Sequence, residues 1–483
     1  MAHHTENEYS NPVKLLVASD AQKQEAIQFF LSSGSKDPQP GGVGIEVGQM
    51  LISTLDENKT KVTVSLGEKE NIAANTFRKA GASITRWLNQ FLKTSSTIHL
   101  AKTEQLDKAE MLAAFLEGLY LGSYTFSKWK STTKKSEEIK IFLDTAIEPQ
   151  KVNALIQHAR IVTEAVNLGR DWAHEPANII NPVSLAQWVQ ELAQKHELKC
   201  VILDESTLGQ LKAGGILSVG QGSRTPSRLI VLEYPGFQIE PETKPIVLVG
   251  KAITFDTGGY SLKDTTNIQS MKYDKSGGIA VIAAMQAAAA LRIKKPVVGI
   301  IAAAENMISQ QAYRPDDIIT TLSGKTIEII STDAEGRLVL ADALTYAQQK
   351  YNPEAIIDLA TLTGGVVVAL GRVRAGLMSN NDVLANALFA SGESTFERLW
   401  RLPLDQDYFS QIEGDDADLK NAGGREGSTV VGGIFLKQFV SDEVPWAHID
   451  IAGVANTDKP SPLGPKGATG FGIRLLIDFL EKR

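Results

Sequence analysis

The sequence predicts an α/β protein of two domains, a smaller N-terminal α/β domain and a larger C-terminal α/β domain with a mostly parallel central sheet flanked by helices. Three observations lead there. A chain of 483 residues exceeds the size at which one hydrophobic core usually splits. Runs such as PIVLVG (245–250), VVGIIAAA (297–304) and AIIDLA (355–360) are apolar throughout, as strands covered on both faces are. Segments of helical period separate those runs, which is how parallel strands are joined. The expected boundaries are an N-terminal domain over 1–150, a connecting helix over 151–174 and the larger domain over 175–483.

In the first domain VKLLVAS (13–19) reads as a strand, QKQEAIQFFL (22–31) as an amphipathic helix, TKVTVSLG (60–67) as a strand and NIAANTFRKAGASITRWLNQFL (71–92) as a helix. The apolar spacing of 103–126 predicts another helix. The Lys- and Ser-rich SKWKSTTKKSEE (127–138) predicts a surface loop, and IKIFLD (139–144) a last strand. Pro149 stands where a helix begins, and the pattern from there to about Trp172 is helical. In the second domain the strands RLIVLEY (228–234), PIVLVG, VVGIIAAA, KTIEII (325–330) and AIIDLA alternate with helices such as GGIAVIAAMQAAAALR (277–292) and LVLADALTYAQQK (338–350).

Composition narrows the function. Apolar residues make up 43% and charged residues 22%, as in ordinary globular chains, and a net charge of -7 argues against nucleic acid as a partner. Cys200 is the only cysteine, so no intramolecular disulfide forms and a reducing compartment fits. MAHHTENEYSN (1–11) has the look of a disordered leader without a signal pattern, and the longest apolar run is too short to span a bilayer. A cytoplasmic protein that does not enter membranes is expected.

Charged clusters follow PIVLVG and KTIEII, and open parallel sheets place chemistry at the carboxyl ends of their strands. The first block, VGKAITFDTGGYSLKDTTNIQSMKYDKSGG (249–278), holds Lys251, Asp256, Lys263 and Asp274; the second, STDAEGRLVLADAL (331–344), holds Asp333, Glu335 and Arg337. In an extended backbone those last three project to one side. Asp256, Asp274, Asp333 and Glu335 together would carry four negative charges, which two divalent cations would balance. A nearby dication favours the neutral amine of lysine, so Lys251 could be a ligand too. The plainer alternative is lysine–carboxylate pairing at loop ends.

The two blocks resemble those of the leucyl aminopeptidases, or cytosol aminopeptidases, a family of two-metal exopeptidases. The resemblance covers most of 165–480. It includes NLGRDWAHEPANIINP (167–182), the stretch from Ala304 to Ala347, DLATLTGG (358–365), LWRLPL (399–404), FLKQFV (435–440), WAHIDIAG (446–453) and GATGFGIRLL (467–476), all in the family's order. The resemblance implies an aminopeptidase that releases leucine and similar N-terminal residues from short peptides. It implies one metal site of Lys251, Asp256, Asp274 and Glu335 and another of Asp256, Asp333 and Glu335. The ions would be manganese or zinc, with magnesium or cobalt as alternatives. Lys263 would steady the oxyanion, and Arg337 would hold a bicarbonate ion acting as general base. Met271, Thr361, Gly364 and Ala452 would line the first side-chain pocket, which Ala455 would leave roomier. A homohexamer, a dimer of trimers, is the assembly implied.

His174 and His448 lie in no metal-ligand spacing and are read as structural. The chain departs from the family's commonest pattern at Ser331, Asp264 and the pair Lys275–Ser276. A cation beside Asp274 could weaken a metal site, or could point away from it. A non-catalytic homologue and a metal-dependent phosphoryl-transfer enzyme are the rival readings. All seven motif residues are present, against the first, and no phosphate-cradling GxxxxGK[ST] loop occurs, against the second.

Overall fold

The computed structural model describes residues 11–19, 25–36, 42–56, 58–100, 108–132, 137–240 and 242–483. The expected leader over 1–11 lies outside them apart from Asn11. So does 133–136 of the expected surface loop, whose described residues 127–132 are mostly exposed. The chain divides into two compact units: Met1–Asn167 with Asp458–Gly467, and Leu168–Thr457 with Ala468–Arg483.

The first unit is built on β1 (Val13–Val17), β2 (Ile27–Ser32), β3 (Met50–Asp56), β4 (Lys59–Ser65), β5 (Ser95–His99) and β6 (Ile139–Asp144), with helices Ala74–Gln90 and Ala109–Leu121. The sheet order is β1-β6-β5-β2-β4-β3, and only the edge strand β3 runs antiparallel to its neighbour. QFFL is therefore a strand where a helix was expected. Phe29 is wholly buried and β2 is paired on both sides, so a run apolar on both faces belongs inside the sheet whatever period its polar leader suggests. The two helices pack face to face, and Phe77, Ile84, Leu88, Phe115 and Leu119 close the core against the sheet.

Helix Pro149–His174 begins at its proline and continues across the division between the units. The second unit adds β7 (Lys199–Leu203), β8 (Arg228–Tyr234), β9 (Ile246–Asp256), β10 (Val297–Asn306), β11 (Ile318–Thr320), β12 (Thr326–Glu328), β13 (Ala355–Ala360), β14 (Ala375–Ser379), β15 (Leu399–Arg401), β16 (Leu419–Lys420) and β17 (Trp446–Asp450). Its main sheet has the order β15-β14-β17-β13-β9-β10-β8-β7, and the central four, β17, β13, β9 and β10, are mutually parallel. Helix Ser276–Ala290 is buried along nearly its whole length, which is why its sequence carries no polar stripe. Gly250 and Gly277 let it approach the sheet: a Cβ on Gly277 would lie 2.2 Å from the Leu359 carbonyl oxygen.

One expected strand sits elsewhere. KTIEII contributes only Thr326–Glu328, paired with β11 and β16 in a separate three-stranded sheet. Ile327 and Ile329 are wholly buried while Ile330 is 45% exposed, so the run is apolar on one face and does not suit a layer covered on both. No helix among the described residues is long and apolar enough to cross a membrane.

Candidate active site

The carboxyl ends of the four parallel strands supply the site. β9 ends on Asp256, β10 on Asn306, β13 runs into Thr361, and β17 ends on Asp450 just before Ala452. Lys251 lies within β9, five residues before its end. Asp274 sits in the 3-10 turn Met271–Lys275 that opens helix Ser276–Ala290.

Asp333, Glu335 and Arg337 do not share one side of an extended strand. The Ala334 N–H donates to the Ser331 carbonyl in a turn, and Glu335 has helical φ and ψ of -74° and -36° at the start of helix Gly336–Tyr351. A turn running into a helix brings both acids to the cluster, which a pleated strand would hold in a line. Gly336 is required by that approach, because a Cβ there would lie 2.6 Å from Lys251 Cε.

The structure brings Lys251, Asp256, Lys263, Asp274, Asp333 and Glu335 together. Lys251 Nζ lies 2.9 Å from both oxygens of Asp274, donating to Oδ1, and 2.9 Å from Glu335 Oε1. It also donates to the Thr361 carbonyl at 2.9 Å. Lys263 Nζ lies 2.8 Å from Asp256 Oδ2 and also pairs with Asp333. Thr361 Oγ1 donates to Asp274 Oδ1 at 2.6 Å.

Electrostatics mark the cluster as short of positive charge. Four carboxylates face two ammonium groups, and all but Asp333 are more than nine-tenths buried or close to it. Burial, then repulsion from Asp256, raises Glu335 to about 8 against the pull of Lys251. Burial raises Asp274 to about 6 in the same way. Burial opposes charge on Lys251 and Lys263, but the surrounding carboxylates outweigh it and hold both ammonium groups above their ordinary range. Glu335 Oε2 is buried and accepts no hydrogen bond. Asp256, Asp333 and Glu335 each turn one oxygen to within 4.8 Å of the others. Converging buried oxygens with unbalanced charge fit divalent cations well.

The sign of a pH effect follows. In metal-free protein, native Glu335 keeps a proton from about 4.5 up to about 8, where the unfolded chain has lost it. The native state binds more protons in that window, so its stability falls as pH rises through it. The raised lysines add stability that is lost only above the ordinary lysine range, so they leave the slope alone. Thermal melts of chelated protein should lose more Tm from pH 5 to 8 in wild type than in Glu335→Gln, and saturating Mn²⁺ should narrow the difference. Equal pH trends in the two chelated proteins would mean that Glu335 is not held in the cluster.

Several supporting residues carried no signal in the sequence reading. Asn306 Nδ2 donates to Asp256 Oδ1 at 2.8 Å and to the Thr332 carbonyl at 3.0 Å. Tyr313 donates to the same carbonyl at 2.8 Å. Thr332 Oγ1 donates to the Gly258 carbonyl and accepts from the Ser261 N–H, locking the two blocks together. Gly259, at φ +63°, has no room for a Cβ beside Thr332. Asn421 accepts from the Ile330 and Ser331 N–H groups, donates back to the Ser331 carbonyl, and accepts Arg337 Nη1 at 2.7 Å on its own carbonyl. A single Asn or Thr has no recognisable spacing; only the folded chain shows its partners.

Arg337 is buried, and its Nε has no hydrogen-bond partner. Burial lowers it to about 10, with Glu335 and Asp450 pulling the other way. A buried guanidinium edge with a free donor fits a planar oxyanion such as bicarbonate. Of the expected pocket residues, Thr361 touches the acids directly and Met271 heads the turn that carries Asp274. Gly364 faces open space, and the Ala452 N–H donates to Asp450. Ala455 lines a small cavity with Ala173, Ser276 and Phe471.

The departures have local causes. Ser331 Oγ accepts the Asp333 N–H, and Asp264 caps the short helix Thr265–Ile268 through the Thr266 and Asn267 N–H groups. Both histidines are held by the fold. His448 pairs with Asp358 at 2.5 Å in the core, where Trp446 Nε1 also donates to Asp358. Burial lowers His174 to about 4, which leaves it neutral.

Comparison with known proteins shows the family. The model of the cytosol aminopeptidase family catalytic domain matches residues 167–477, and that of the family's N-terminal domain matches 50–134. A probable cytosol aminopeptidase of Rickettsia felis is 41% identical over 431 residues, 87% of this chain and 85% of that protein. One from Syntrophotalea carbinolica is 44% identical over 427 residues, with the same coverage of 87% and 85%. Among solved structures, the bottromycin maturation enzyme BotP in complex with Mn aligns with a TM-score of 0.86 and 32% identity, covering 95% of this chain and 99% of that one.

Proposed function

The chain belongs to the cytosol aminopeptidase family, whose members are metal-dependent hydrolases acting on peptides, and from that premise we propose that it is a two-metal leucyl aminopeptidase. The observation that carries this reading is the convergence of Asp256, Asp274, Asp333 and Glu335 on a pocket that two lysines alone leave negatively charged.

Lys251, Asp256, Asp274 and Glu335 would hold one ion, and Asp256, Asp333 and Glu335 the other. Manganese or zinc fits best, manganese being the ion named for BotP, and magnesium or cobalt is also compatible with an oxygen-rich set. When bound, such ions polarise a peptide carbonyl and lower the proton affinity of an attacking water. The protein's own groups do the rest. Lys263 keeps its ammonium and donates to the oxygen on which charge develops. Lys251 would serve as a ligand in its neutral amine form, which a nearby dication favours. Thr361 and Asn306 fix Asp274 and Asp256 in place by hydrogen bonds. Arg337, with its free Nε, would hold bicarbonate, which would supply a general base there.

Met271, Thr361, Gly364 and Ala452 line an apolar first pocket that suits leucine- or methionine-like residues, with tolerance of others because such pockets discriminate by only about 1–3 kcal/mol per methylene. Short peptides are the substrates, and a homohexamer of two trimers is the assembly. The relatives' description as cytosol aminopeptidases supports a cytoplasmic location.

The test is release of chromophore from a leucyl anilide. Chelation should abolish turnover, and Mn²⁺ or Zn²⁺ should restore it. Absence of turnover with every divalent metal would sink the proposal.

A further inference from the structure

Lys275 directly follows Asp274, yet its ammonium turns away from the acids. The side chain is wholly buried. Nζ donates to the carbonyl oxygens of Glu175 at 2.9 Å and Ala173 at 3.2 Å, and to that of Lys272 in its own turn. Ala173 belongs to the last turn of helix Pro149–His174, whose final carbonyls have no partner within the helix. They carry the negative end of the helix dipole, where a cation is favourable.

The two residues before Asp274 grip the same helix end. Lys272 Nζ donates to the His174 carbonyl at 2.9 Å. The His174 ring stands edge-on to Tyr273 and accepts the Ala468 N–H at Nε2, so Nδ1 carries the proton and donates to the Tyr273 hydroxyl at 3.2 Å. Asp274 is the one side chain of residues 272–275 that points to the acid cluster, where Lys251 and Thr361 meet it.

We infer that Lys275 is a positioning residue for the ion held by Asp274: its ammonium fastens the Met271–Lys275 turn to the end of helix Pro149–His174. The inference rests on the reading of Asp274 as a metal ligand. The amino group of Lys275 is spent on three carbonyls facing away from the acids, so removing it should loosen the ligand more than it relieves repulsion.

The experiment is a Mn²⁺ titration of metal-free protein, following free Mn²⁺ by electron paramagnetic resonance. Lys275→Met should weaken one of the two ions by about 10- to 100-fold, the range seen when a ligand loses its supporting hydrogen bonds. The second ion should bind as in wild type, and two ions should still bind at saturation. Activity at saturating Mn²⁺ should then approach the wild-type kcat, with a higher Mn²⁺ requirement. Lys275→Met takes one donor from each of three carbonyls; if it does not fold, Lys272→Met decides, because its half-buried side chain gives up a single hydrogen bond and should weaken the same ion less.

Unchanged affinity for both ions with only a lowered Tm would make Lys275 a purely structural residue and overturn the inference, as would tighter binding. A wild-type chain that takes up no Mn²⁺ overturns the metal reading itself; wild-type uptake with unaltered variants overturns this inference alone.

Discussion

Glu335→Gln should lower kcat/KM by about 10³-fold while raising the Tm of the metal-free protein. The activity loss follows from position: Glu335 lies in the buried centre of the cluster, within reach of Lys251 on one side and of Asp256 and Asp333 on the other. An amide oxygen is a poor substitute for a carboxylate toward a dication, and charge stabilisation by bound ions amounts to several kcal/mol, with about 1.4 kcal/mol for each factor of ten. The stability gain has the opposite sign for the same reason. Burial and Asp256 push Glu335 up to about 8, so at neutral pH the metal-free fold must hold a proton that the unfolded chain has lost, and a neutral amide removes that cost. Steady-state kinetics in saturating Mn²⁺ and calorimetry in chelator check the two halves. Activity within tenfold of wild type would remove Glu335 from the metal set.

Lys263→Met should cut kcat by about 10²- to 10³-fold, the usual loss when one oxyanion donor is removed, with little change in KM. Without cations the Lys263 ammonium bridges Asp256 and Asp333. A dication placed between the same carboxylates competes with it, so its removal should tighten Mn²⁺ binding even as turnover falls. Opposite movements of affinity and kcat separate this role from that of a metal ligand. A variant that loses a bound ion instead would reassign Lys263 to the metal set.

Much of the architecture was legible because burial on both faces writes itself into composition. PIVLVG, VVGIIAAA and AIIDLA could only be interior strands, and they form the middle of the main sheet. QFFL and KTIEII went astray because a short apolar run is compatible with more than one element, and pairing partners decide among them. β2 became a strand because β4 and β5 flank it, and β12 pairs with β11 and β16 outside the main sheet because its run buries Ile327 and Ile329 but leaves Ile330 exposed.

The residue types that cluster were legible too, because two blocks of acids and lysines each follow an apolar run in the sequence. Their arrangement was not. Asp333, Glu335 and Arg337 looked like one face of a strand, whereas a turn into helix Gly336–Tyr351 delivers the acids to Lys251 and sends Arg337 to Asn421. The direction of Lys275 was open in the sequence and is settled by carbonyls some 100 residues upstream.

By itself, then, the amino-acid order determined the α/β class, the covered parallel strands and the inventory of acids and lysines, because hydrophobic periodicity and side-chain chemistry are local properties. Only the tertiary structure decided which lysine faces which carboxylate, which asparagine holds which loop, and that the cluster stays short of positive charge. Those outcomes depend on distances between residues far apart in the chain, and on burial, which strengthens every unbalanced charge and has no value until the chain has folded.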